Sequence, residues 1–264
     1  MTTTETLPRR AAAAKRMLGA GVVAALAILL AACMLIPGKF ASSLDLRKDG
    51  KFSFAYKGEI HFVSPSQLDE KKEGSEAKPD GKAGKDAEAA QMEAMMGGGM
   101  NLTDPKAADE FARKLARQSG WRSVKSMGNG RFDVDYAVSG TLSHDFTFPV
   151  IDGFAQASPF VQVIRRSDGS VRVNAPAFSS GPEGSPLRNL ARMGAMDDAG
   201  KAKSASKGPK LPVLDGTFAV TTDGAILANN TEEGPQPGTG GSILNWTVND
   251  STDSAPTALI GLTK

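Results

Sequence analysis

The alternation of residues 51–62 constrains this chain most. Phe52, Phe54, Tyr56, Gly58, Ile60 and Phe62 fall on one side of a period-two pattern, and Lys51, Ser53, Ala55, Lys57, Glu59 and His61 on the other. An extended strand sends successive side chains to opposite faces, so this is a half-buried antiparallel strand with an aromatic inner face. Lys48-Asp49-Gly50 just before it is a turn, because glycine accepts the positive φ that closes a short hairpin. Leu44 and Leu46 then end the partner strand.

The same reading continues along the chain. Asn129-Gly130 is a hairpin turn between a strand at 122–126 and one in which Phe132, Val134, Tyr136 and Val138 alternate with polar neighbours. Residues 142–150 continue this meander. Strands at 161–164 and 171–173 pair around Ser167-Asp168-Gly169, and strands at 217–221 and 225–228 flank Asp223-Gly224. The last two are 243–248, with Leu244, Trp246 and Val248 on one face, and 258–262. One good helix interrupts them. Thr103 or Asp104 can cap it, Pro105 fits its first turn, and Ala108, Phe111, Ala112 and Leu115 form a single apolar stripe. Gly120 stops the helix and Trp121 opens the next segment. The expected class is α+β: a curved antiparallel β-sheet of about seven to nine strands packed with one principal α-helix.

Two stretches do not fit a packed core. Residues 69–99 are rich in Lys, Glu, Ala and Gly with almost no branched apolar side chains, and 179–210 carry Lys201, Lys203, Lys207 and Lys210. Such compositions bury too little to offset the entropy of ordering. They read as flexible insertions at about 66–102 and 179–210 within a single domain of 40–264. Met92, Met95, Met96 and Met100 in the first read foremost as an oxidation-prone patch or a frayed helix, and otherwise as an adaptable sticky segment or a soft-metal site. The lysines of the second form either a solvated loop or a contact for anionic head groups.

The start of the chain says where the protein works. Arg9, Arg10, Lys15 and Arg16 precede an uncharged run, and that run leads through Leu30-Ala31-Ala32 to Cys33, the only cysteine. A basic start, an apolar segment and small residues before a cut site make a secretory signal. Leu30-Ala31-Ala32-Cys33 resembles the lipobox of bacterial lipoproteins. The resemblance implies a signal peptide at 1–32, cleavage between Ala32 and Cys33, acylation of Cys33, and a short tether at 33–39. The rival reading is an uncleaved anchor, since residues 17–36 are about long enough to span a bilayer. Both place the remaining chain outside the cytoplasm and tethered to a membrane.

Charge excludes one class of partner. The full chain has 31 basic and 29 acidic residues; 1–32 contain four basic residues and one acidic, so 27 and 28 remain. No basic field is left to attract nucleic acid. Chemistry is equally sparse. His61 and His144 stand in no metal-ligand spacing. Asp133 and Asp135 share the polar side of one strand, which reads first as a solvated face. Gly238-Thr239-Gly240-Gly241 lacks the lysine of a phosphate loop. A non-enzymatic domain without metal or cofactor is expected.

The order of features is that of a known group. An acylated cysteine precedes the hairpin Leu44-Asp45-Leu46-Arg47-Lys48-Asp49-Gly50, then a helix, then Gly120-Trp121 opening a meander, then 216–229, 241–246 and a last apolar strand. This layout resembles the LppM-like envelope lipoproteins. The resemblance implies a helix packed on a curved antiparallel sheet and an association with envelope lipids. It supplies no catalytic residues, and the C-terminal membrane helix of mycobacterial members has no counterpart here.

One short helix cannot cover so much apolar sheet. The sheet either closes on itself, curls around an apolar ligand, or docks a partner or the membrane. Phe52, Phe54, Tyr56, Phe132, Tyr136 and Trp246 are the candidate ligand face. The leading expectation is a membrane-tethered binding domain for an envelope lipid or other apolar ligand. The alternative is an envelope assembly lipoprotein that contacts protein partners.

Overall fold

The structure, a computed structural model, describes residues 34–63, 102–152, 159–182, 184, 188 and 211–262. These belong to the compact unit of 34–63 and 100–264. The other unit, 1–33 and 64–99, lies outside the described residues, and with it the expected signal peptide, Ala32, Cys33 and most of the first insertion. Residues 183, 185–187 and 189–210 of the second insertion also lie outside them.

The described elements, in chain order, are β1 Met34–Leu46, β2 Lys51–Val63, α1 Pro105–Leu115, β3 Trp121–Ser126, β4 Arg131–Thr141, β5 Phe146–Phe148, β6 Val161–Arg165 and β7 Ser170–Asn174. A 3-10 turn at Pro176–Phe178 follows, then β8 Asp215–Thr222, β9 Ala225–Asn229, β10 Gln236–Gly238, β11 Gly241–Asn249 and β12 Thr257–Gly261. The strands form two sheets, not the single curved sheet expected from the sequence. One has seven strands in the order β10-β11-β8-β1-β2-β4-β3, and the other five in the order β5-β6-β7-β12-β9. All pairs are antiparallel except β1 with β8.

The difference arises at two crossovers. Residues 142–150 do not extend the meander; Phe146–Phe148 pairs with β6 in the second sheet. Asp223-Gly224 does not close a hairpin either. It carries the chain from β8 in one sheet to β9 in the other. A Cβ on Gly224 would stand 2.7 Å from the Gly261 carbonyl oxygen, so only glycine fits the crossing.

The expected tether is also structured. β1 begins at Met34, which pairs with Val63, and Leu35 and Ile36 are buried. Pro37 and Gly38 suggest a linker in sequence, but the strand absorbs them in a register shift between Pro37 and Phe40. A proline in a strand is tolerated at such a bulge.

The helix forms as expected. The Asp104 side chain accepts from the Ala107 amide at 3.2 Å, and Ala108, Phe111, Ala112 and Leu115 face inward. Phe111 meets Phe62 and Phe132 edge-on at 4.9 and 5.4 Å. The helix thus covers the part of the large sheet around Ile60, Phe62 and Phe132. The second sheet covers the rest, and burial of these rings is the main source of stability.

Candidate functional site

The inner face of the large sheet is ordered by register. Trp121, Tyr136, Tyr56, Ser42, Phe218 and Trp246 stand in one row across β3, β4, β2, β1, β8 and β11. Phe40 stacks on Tyr56 at 5.5 Å and on Phe178 at 4.2 Å. The small Ser42 fits between the rings of Tyr56 and Phe218, and its hydroxyl donates to the Ala55 carbonyl at 3.0 Å.

The six residues expected to line a ligand face are brought together, but as packed core. Phe54, Tyr56 and Phe132 are fully buried, Trp246 is nearly so, and Phe52 and Tyr136 are half-buried. Phe148 of β5 packs on three of them, 5.0 Å from both Phe54 and Tyr56 and 4.7 Å from Tyr136. Phe160 and Phe178 complete the filling. The Trp246 indole donates to Asn230 Oδ1 at 3.0 Å, and the same oxygen accepts from the Thr257 amide at 2.8 Å. The sequence left open whether this face closes on itself or receives a ligand, and it did not assign Phe148 to a second, covering sheet. The signal was Phe146-Thr147-Phe148, an alternation too short to assign to a separate sheet.

The two ends of the sandwich differ. At the end where the chain enters from residue 33, Met34 lies beside Val63. At the other end five short turns meet. The Lys48 amide donates to Asp223 Oδ1 at 2.7 Å, Arg47 donates to the Gly240 carbonyl, and the Leu142 amide donates to the Gly50 carbonyl at 2.8 Å. Arg165 ties in the β6–β7 turn, with Nη1 donating to the Leu142 carbonyl at 3.0 Å and its amide to Asp145 Oδ1 at 2.9 Å. These turns surround a depression of about 680 Å3, with Leu142 and Leu262 as its apolar part and Lys48, Asp49 and Arg165 around it. Hydrogen bonds between turns hold the depression in shape, which lowers the entropy lost when something binds. Asp49 is held below the usual carboxylate range by Lys51, first through its side chain, at 2.8 Å.

The titratable candidates stay apart. His144 is exposed at the turn end, with Nδ1 2.9 Å from Ser143 Oγ, while Asp145 is spent on the Arg165 amide. His61 lies near the other end, 3.4 Å from Glu59 Oε2; burial pushes its pKa down against the pull of Glu59. Asp133 and Asp135 stand on the outer face opposite Glu59 and Lys57. Gly238–Gly241 is the β10–β11 hairpin, with Gly240 and Gly241 at φ of 86° and 135°. Among the described residues no group of three His, Cys, Asp or Glu is placed to hold a metal. No described helix is long and apolar enough to cross a membrane.

No protein-family model matches the sequence, and no curated protein matches it. Among solved structures, the chain is similar to the folded domain of LppM from Mycobacterium tuberculosis, determined by NMR. The match has 13% identity, covers 88% of this chain and 93% of that one, and has a TM-score of 0.31.

Proposed function

We propose that the protein is a membrane-tethered, extracytoplasmic, non-enzymatic lipoprotein that contacts an envelope protein partner through the outside of its β-sandwich. Acylation at Cys33, after cleavage behind Ala32, supplies the tether. The observation that supports this reading is the closed aromatic face. With Phe148, Phe160 and Phe178 packed on Phe54, Tyr56 and Phe132's sheet, the interior has rings where an acyl chain would lie. Binding then falls to the surface, and the turn-lined depression lies at the end opposite the chain's entry.

Photo-crosslinking tests it. A photoreactive residue at Ser143 or Ser167, in cells, should give one discrete protein adduct that is absent when the same residue replaces exposed Val213. Stoichiometric, saturable binding of a fluorescent fatty acid to the purified protein, without any adduct, would sink the reading. An apolar-ligand function is the second reading. It is favoured by the depression itself, since Leu142 and Leu262 border it and half-buried Phe52 and Phe146, 5.2 Å apart, lie on strands leaving those turns. That reading predicts fatty-acid binding that Leu142→Asp abolishes.

A further inference from the structure

The two outer faces of the sandwich differ in charge. On the large sheet, strand register sets opposite charges together: Lys125 pairs with Asp133, Lys57 with Asp135, and Arg131 stands 3.7 Å from Glu59. That is the pattern of a sheet face kept in water. The strands of the small sheet, Phe146–Phe148, Val161–Arg165, Ser170–Asn174, Ala225–Asn229 and Thr257–Gly261, contain no Asp, Glu or Lys. Their charged residues are Arg165, which is held at the turn end by the Leu142 carbonyl, and Arg172.

The outward residues of the small sheet line up across it. Ile164, Arg172, Leu259 and Ala228 stand in one row over β6, β7, β12 and β9. Thr147, Gln162, Asn174 and Thr257 stand in the next, over β5, β6, β7 and β12. Leu227, at the irregularity where β9 pairs with β12, is 57% exposed beside the first row. Ile164 and Leu259 are half-buried and Arg172 is exposed. Among the described residues Arg172 has no hydrogen-bond or ion-pair partner. A depression of about 260 Å3 opens here, bordered by Arg166, Arg172, Ala228, Asn229, Thr257 and Leu259, with no carboxylate in its lining. Arg166 reaches Asp168 only at 3.8 Å.

Composition and charge together select the occupant. A face that offers Leu, Ile and Arg and lacks Lys, Glu and Asp has the make-up of the centre of a protein interface. A second copy laid on it about a two-fold axis would bring the same arginines to both sides, and like charges oppose that pairing. A bilayer does not fit either. β11 ends where the chain enters, since Asn249 pairs with Asp215 and Asp215 lies in register with Lys39. From there β12 runs to Leu262 at the turn-lined depression. The face therefore looks sideways from the line between the two ends, not toward the tether. A protein that presents a carboxylate to the arginines and apolar side chains to Leu227 and Leu259 fits both the charge and the direction.

We infer that the outer face of the small sheet docks a protein segment that carries an acidic side chain beside apolar ones, with the carboxylate accepting from Arg172 and Arg166 and the apolar side chains resting on Leu227 and Leu259. This rests on the reading that the protein contacts an envelope protein partner, and it names that partner's chemistry. The full-length protein is photo-crosslinked in cells. A photoreactive residue at Ala228 should give a protein adduct that the same residue at exposed Ser53, on the large sheet, does not. Mass spectrometry of the crosslinked peptide should show Asp or Glu beside Leu, Ile, Val or Phe. Arg172→Glu should cut the adduct yield at least about tenfold, and changing the identified acidic residue to Lys should restore it, which a misfolded variant could not show. Leu227→Asp, also at an exposed position, should cut the yield as far. No adduct at Ala228, an adduct to lipid or to a second copy alone, a crosslinked peptide without an acidic residue, or an undiminished yield in Arg172→Glu would overturn the inference. Adducts at Ser143 or Ser167 without one at Ala228 would remove this face and leave the partner reading standing. No adduct at any of the three positions would remove both.

Discussion

The Tyr56 hydroxyl donates to the Glu59 carbonyl at 2.8 Å from a side chain with no exposure to solvent. This bond spans Gly58, whose φ is 146° and whose added Cβ would stand 2.2 Å from the Lys39 carbonyl oxygen. The β1–β2 register shift, the glycine and the buried phenol therefore form one device that bends the longest hairpin over the core. Tyr56→Phe leaves the carbonyl buried without its partner and should cost about 1–3 kcal/mol in urea unfolding. Burial, with Glu59's charge adding to it, also holds the Tyr56 phenol well above its usual value. The unfolded chain thus releases this proton first as pH rises past about 10, and stability falls from there upward. Tyr56→Phe should flatten that alkaline slope.

Gly58→Ala tests the close approach directly. The new Cβ meets backbone, which cannot swing away, and the φ is strained for any L side chain. A loss of about 1–3 kcal/mol or more is expected in thermal or urea unfolding.

Phe178→Ala tests whether the aromatic face is core or cavity wall. Phe178 packs on Phe40, Phe160 and Phe218 at 4.2, 6.3 and 5.5 Å and is fully buried. Removing a filled ring should cost about 3–5 kcal/mol. A loss under about 1 kcal/mol in urea unfolding would indicate open space beside it.

His61 gives an acid-side signature. Burial lowers its folded pKa, so the unfolded chain takes up the proton first as pH falls. The stability of neutral His61 is present above about pH 6.5 and is lost as pH drops from there toward the folded value. His61→Gln should reduce that loss, measured as melting temperature between pH 7.5 and 5.

Asp104→Ala removes the helix cap and should cost about 1 kcal/mol, with Asp104→Asn costing less. Because α1 covers Phe62 and Phe132 through Phe111, the loss should appear in global unfolding, not as local fraying alone.

Local patterns were legible in the sequence. The β2 alternation, the Lys48-Asp49-Gly50 turn, the capped helix with its four inward residues and the Asn129-Gly130 turn each follow from side-chain period or backbone freedom, and each is present. Asn129 takes a φ of 53° and Gly130 one of 72°. What was not legible is which strands share a sheet. Short strands such as Phe146–Phe148 and Ala225–Asn229 look alike whether they pair with a sequence neighbour or cross to another layer. Pairing depends on contacts distant in sequence. For the same reason the aromatic face was recognisable but its covering was not.

The tether remains the central claim, and intact-mass spectrometry of the protein extracted from its own membranes tests it most directly. The account predicts a chain that begins at Cys33, lacks 1–32 and carries added acyl mass on that residue. A chain that retains 1–32 with an unmodified Cys33 thiol would contradict it.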